Sequence, residues 1–149
     1  MSADHAHRLK IRVYFEDTDA GGVVYHANYL RWAERARTEA LRDMGVPHSD
    51  MQRLHGCFMV VRRVTVEYAR PARLDDEVTV VTRIRRASAS LLLSQEVMRG
   101  EEGLALLEVT LACVDVASLA PRRLPEPWLG ELRARIVPPE TSSLGGTAP

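Results

Sequence analysis

Lysine is nearly absent from the 149-residue chain: Lys10 is the only one, and arginine supplies the remaining basic side chains. Arginine suits planar phosphate contacts better than lysine, but a biased base composition gives the same excess, so it selects no partner alone. Net charge is absent as well. Twenty basic residues balance twenty acidic ones, which removes the bulk field that draws proteins to nucleic acid or anionic membranes. Cysteine is scarce, with Cys57 and Cys113 far apart and outside any Cys-x-x-Cys spacing. Two such residues make neither a disulfide framework nor a zinc site; placed in predicted strands, they read as buried free thiols. No apolar run approaches the roughly 18 residues that span a bilayer, and the N-terminus lacks the apolar centre of a signal peptide. His5 and His7, on a polar terminus, read as solvated side chains short of a full metal ligand set, and P-loop, dinucleotide and HExxH patterns are missing. These absences lead to the expectation of a soluble, cytoplasmic protein without metal or cofactor.

What remains is patterning. The length suits one domain with a substantial core. Leu9, Ile11, Val13 and Phe15 alternate with Lys10, Arg12 and Tyr14, the period of a strand with one buried face. A glycine-bearing loop follows, then a helix predicted from Tyr25 or His26 to Met44, stopped by Gly45 with Pro47 beyond. Tyr29, Ala33, Ala36, Ala40 and Met44 form one stripe of that helix, and Arg31, Arg35, Thr38 and Arg42 the opposite side. A stripe of mostly alanine lets the helix lie close in the curve of a sheet.

After a polar connection over residues 49–56, four strands are expected. In the first, Phe58, Val60, Val64, Val66 and Tyr68 alternate with Met59, Val61, Arg63, Thr65 and Glu67. The others cover residues 77–86, 89–99 and 104–116, with a turn at 70–76 and a hairpin at 100–103. Residues 128–136 read as a short helix. The expected organisation is a flexible segment 1–7, one domain 8–137 and a disordered tail 138–149. The class is α+β, an antiparallel sheet wrapped around one long helix.

The chemistry concentrates where the loop meets the helix. The first helical turn leaves backbone N–H groups unpaired and favours negative charge. A carboxylate held opposite such donors can attack a carbonyl, or activate water against it, while the donors polarise the carbonyl oxygen. Asp17 and Asp19 are the carboxylates available. By itself this pattern equally allows aspartates that only shape the turn.

The run Glu16-Asp17-Thr18-Asp19-Ala20-Gly21-Gly22-Val23-Val24-Tyr25-His26-Ala27-Asn28-Tyr29-Leu30, followed by Glu34-Arg35-Ala36-Arg37-Thr38-Glu39, resembles the signature of hotdog-fold acyl-CoA thioesterases. Within them it is most similar to the Tol-Pal-associated (YbgC-type) branch of the 4-hydroxybenzoyl-CoA thioesterase group. The resemblance implies a hotdog fold and hydrolysis of an acyl-CoA thioester, coenzyme A being part of the substrate and no cofactor being needed. It implies Asp19 as nucleophile or general base, with Asp17 organising the loop. The His26 N–H would face the thioester carbonyl, with the imidazole either contributing or structural. Gly22, Val23 and Tyr25 would border the thioester, Met59 and Val61 the acyl pocket, and Arg85 and Arg86, in a turn between strands, the nucleotide phosphates. Glu34, amid Arg31, Arg35 and Arg37, reads as an ion-paired surface residue. A homodimer or homotetramer with sites between subunits is implied, and a link to the Tol-Pal envelope system by resemblance only. Two alternatives stay open: a non-enzymatic acyl-ligand or envelope-complex binding protein on this fold, and an enoyl-thioester hydratase.

Overall fold

A computed structural model describes residues 5–136. Its elements are β1 (His7–Arg12), α1 (Ala27–Asp43), α2 (His48–His55), β2 (Cys57–Tyr68), β3 (Glu77–Ala87), β4 (Ser90–Arg99), β5 (Glu102–Asp115) and α3 (Trp128–Ala134). The strands form one antiparallel sheet in the order β1-β3-β4-β5-β2, with α1 packed on its inner face. This is the hotdog arrangement expected from the resemblance.

The α1 stripe packs as the spacing requires. Tyr29, Ala33, Ala36 and Ala40 are buried, joined by Asn28, Trp32 and Leu41, while Met44 is only partly covered. The helix stops at Gly45, whose N–H bonds Arg42 O and whose φ of 83°, left-handed, turns the chain so that the Val46 N–H reaches Leu41 O at 3.0 Å. On the sheet, Ala105, Leu107, Val109, Leu111 and Cys113 of β5 all face this core.

Four expectations are corrected. β1 ends at Arg12, and Phe15 lies outside the buried face, 80% exposed. A 3-10 turn, Phe15–Asp17, redirects the chain there, with Thr18 N–H bonded to Phe15 O at 3.1 Å. The polar connection contains α2, a short helix with a single buried residue, Met51, too little apolar content to show periodicity. In β2 a bulge between Val61 and Arg63 inserts Arg62 and shifts the phase. Met59 and Val61, opposite Cys113 and Leu111, therefore share the inner face with Val64, Val66 and Tyr68, opposite Val109, Leu107 and Ala105. β3 runs through a second bulge, between Ile84 and Arg86, to Ala87, so Arg85 and Arg86 lie within the strand rather than in a turn.

α3 has a clear packing role. Trp128, Leu129 and Leu132 are buried, and the Trp128 indole N–H donates to Val46 O at 2.8 Å, tying α3 to the loop after α1. Both cysteines are free and buried, as expected; burial and the adjacent Cys57 thiol push Cys113 up to about 12. No helix among the described residues is long and apolar enough to cross a membrane. The tail expected over 138–149 lies outside the described residues.

Candidate functional site

The glycine loop is a small hairpin. Thr18 bridges Val24, Val23 bridges Arg73, and Val24 N–H donates to Ala72 O at 2.9 Å, pinning the loop to the segment between β2 and β3. Asp17 organises it. Its backbone carbonyl accepts the Tyr25 N–H at 2.9 Å and the Asn28 side-chain amide at 2.8 Å, and its carboxylate accepts the Tyr14 N–H at 2.9 Å.

Asp19 is held through its backbone, by Asp19 N–H to Val23 O at 2.9 Å and Gly22 N–H to Asp19 O at 3.0 Å. Its side chain is exposed, with Oδ1 accepting the Gly21 N–H at 2.8 Å and Oδ2 without a partner among the described residues. The turn needs Gly22, whose φ is 79°. A Cβ at Gly21 would stand 3.2 Å from Asp19 Oδ1 and crowd the carboxylate.

The helix start is fixed from three sides. Asn28 ties it to Asp17. The Tyr29 hydroxyl accepts the Ala72 N–H at 2.9 Å, and the Tyr68 hydroxyl donates to His26 O at 2.9 Å. The exposed His26 ring lies 4.4 Å from the Tyr25 ring, centroid to centroid, and meets Tyr68 edge-on at 6.5 Å. His26 N–H has no acceptor among the described residues. The site thus presents an exposed carboxylate on a fixed loop and an unspent donor at the first turn of a 17-residue helix. Tyr68 escaped the sequence reading because nothing local links the end of β2 to a helix start 42 residues earlier.

A cavity of about 400 Å³ lies between α1, α2 and the inner face of the sheet. Its walls are largely apolar, with Leu41, Met44, Leu91, Leu93 and Leu111 among them, and Met59 and Val61 line it too. Gly22, Val23, Tyr25, Asp19 and His26 do not, so within one chain loop and cavity are separate. Glu34 lines the cavity and forms no ion pair among the described residues, unlike its expected pairing with neighbouring arginines; its charge acts on Arg37, one turn along α1. His48, also on the wall, accepts the Met59 N–H at Nε2 (3.1 Å), and burial depresses its pKa.

Arg85 donates from Nε to Ser94 Oγ at 3.1 Å, and Arg86 is exposed. Beyond the end of β3, Ser88, Ala89, Pro121, Arg122, Arg123 and Arg133 line a shallow cleft of about 420 Å³. Arg122 is tied to His55 O at 2.7 Å and Arg133 to Ala87 O at 3.0 Å. These arginines come from the segment after β5 and from α3, so their grouping had no sequence signal. No cluster of metal-ligating side chains occurs among the described residues.

Residues 13–136 match the thioesterase-like superfamily. An acyl-CoA thioester hydrolase YbgC of Escherichia coli O6:H1 is 44% identical over 128 residues, 85% of this chain and 95% of that protein. An acyl-CoA thioesterase YbgC of Haemophilus influenzae is 39% identical, over 83% of this chain and 91% of its own length. The crystal structure of a probable thioesterase from Bartonella henselae superposes with a TM-score of 0.75 at 39% identity, covering 80% of this chain and 99% of that one.

Proposed function

The chain belongs to the thioesterase-like superfamily, in its YbgC-type branch, and we propose that Asp19 is the carboxylate with which it hydrolyses acyl-CoA thioesters to free acid and coenzyme A. The observation that carries this role is the pairing of a fixed loop bearing an exposed carboxylate with the unspent N–H at His26. In one route Asp19 attacks the thioester carbonyl, the C–S bond breaks, coenzyme A leaves as thiolate, and water then hydrolyses the mixed anhydride. In the other, Asp19 takes a proton from water, and hydroxide adds to the carbonyl before the thiolate departs. Both routes place negative charge on the carbonyl oxygen, where the His26 N–H and the helix dipole stabilise it.

Around this centre, Gly22, Val23 and Tyr25 border the thioester and Met59 and Val61 guide the acyl group into the cavity. Arg85 and Arg86, with the neighbouring arginine cleft, receive the nucleotide phosphates, for which a planar guanidinium is well suited. No cofactor takes part. Loop and cavity meet between two copies of the chain: β2 is an edge strand, and its inner face carries exposed Val61 on the cavity wall, exposed Val64, and exposed Tyr68 bonded to His26 O beside the loop. A cytoplasmic homodimer, or a homotetramer made of two such dimers, belongs to this reading, and a Tol-Pal partner rests on the resemblance alone.

Thiol release from acyl-CoA tests the assignment. Asp19→Asn, which keeps Oδ1 as acceptor for Gly21, is expected to lose at least about 100-fold in kcat with its melting temperature retained. His26→Ala keeps the backbone donor and is expected to lose far less. An Asp19→Asn enzyme releasing thiol at near the wild-type rate would remove Asp19 from the mechanism.

A further inference from the structure

The thioesterase reading leaves open which acyl groups the cavity accepts, and the inference drawn here rests on that reading. A purely hydrocarbon chain would be served by the leucine and methionine walls alone. Yet α1 places a guanidinium among them: Arg37 lines the cavity, and burial lowers its pKa from the ordinary arginine value. A charge in such surroundings is costly unless its donors are satisfied.

Arg37 spends one donor, NH1 to Gln95 Oε1 at 3.0 Å, and has no other acceptor among the described residues. That bond also fixes its position. Gln95 is fully buried, and its amide nitrogen donates to Ala33 O at 3.0 Å and Thr82 Oγ1 at 2.9 Å. The amide therefore cannot turn, and its oxygen faces Arg37. A guanidinium carries five N–H donors, so most of them remain available at the cavity wall. Glu34, three positions earlier on α1, lines the same cavity with a carboxylate that forms no ion pair among the described residues.

We propose that Arg37 selects acyl groups carrying an oxygen at their far end, and that a hydroxyl fits better than a carboxylate. A hydroxyl accepts from Arg37 and can donate to Glu34. A carboxylate satisfies Arg37 but meets the charge of Glu34, and a methyl end leaves the guanidinium unsatisfied. Sites with buried polar groups reject analogues lacking the matching atom more strongly than apolar pockets reject a change of size.

The test compares kcat/KM, by thiol release, for ω-hydroxyhexanoyl-CoA, adipoyl-CoA and heptanoyl-CoA, which share nearly the same length. The wild-type enzyme is expected to prefer the hydroxyacyl over the heptanoyl substrate by about tenfold or more, with adipoyl between. Arg37→Met is expected to bring that ratio to about one. Arg37→Lys retains charge without the fork that holds Gln95 and a ligand together, so it is expected to fall between; it serves as the variant should the methionine enzyme not fold. A wild-type ratio near one, or an undiminished ratio in the arginine variants, overturns the proposal. Adipoyl ahead of ω-hydroxyhexanoyl overturns the part assigned to Glu34. Absence of thiol release from all three substrates in the wild-type enzyme would instead remove the thioesterase reading.

Discussion

His48 shows how one side chain registers its surroundings. It is partly buried at the start of α2 and accepts the Met59 N–H, which requires a neutral imidazole with the lone pair at Nε2. Its folded pKa is depressed by burial. Below the ordinary histidine pKa of about 6.5, the unfolded chain binds a proton that the folded chain resists. This contribution to stability is therefore complete above that pH and is lost as pH falls through it. His48→Gln keeps an acceptor but cannot titrate, so its melting temperature is expected to drop less between neutral pH and pH of about 5 than the wild type. Equal drops would place the pH dependence elsewhere. The two loop aspartates were separable only in part from sequence. Asp17 and Asp19 are chemically the same and two positions apart; their roles diverge because Asp17 caps Tyr14 while Asp19 leaves one oxygen open.

Among the elements, α1 was legible and α2 was not. Seventeen residues with an alanine-rich face carry a clear period, whereas eight residues with one buried side chain carry none. α3 was visible as a helix, but its purpose depends on a contact 82 positions away in the chain, Trp128 with Val46 O. Trp128 is among the largest fully buried side chains. Removing only the donor, in Trp128→Phe, leaves a buried carbonyl unpaired and is expected to cost about 1–3 kcal/mol. Trp128→Ala adds a cavity and is expected to cost about 3–5 kcal/mol. Denaturant unfolding measures both, and a Trp128→Ala loss below that of Trp128→Phe would show that α3 is not anchored through this side chain.

For the whole molecule, the decisive feature is the uncovered inner face of β2. Val61 is 47%, Val64 39% and Tyr68 46% exposed on a 12-residue edge strand whose other side pairs with β5. Unpaired apolar edges favour pairing with another strand, and a lysine there opposes it. Val64→Lys is expected to shift the proposed dimer to monomer in sedimentation velocity and, if the site is shared between copies, to remove most thiol release with it. A monomer with full activity would place the whole site in one chain. The sequence by itself determined the class of the fold, the position of α1, the inner face of β5 and the loop on which the proposed site rests, because each depends on residues close together in the chain. Only the tertiary structure decided which way β2 faces, since the bulge at Arg62 reverses the phase that strict alternation assigns. It also decided that Arg37 and Gln95 meet 58 positions apart at the cavity wall, and that Arg122, Arg123 and Arg133 share one cleft. Those arrangements follow from strand register and packing, which bring together residues whose spacing in the chain carries no record of the contact.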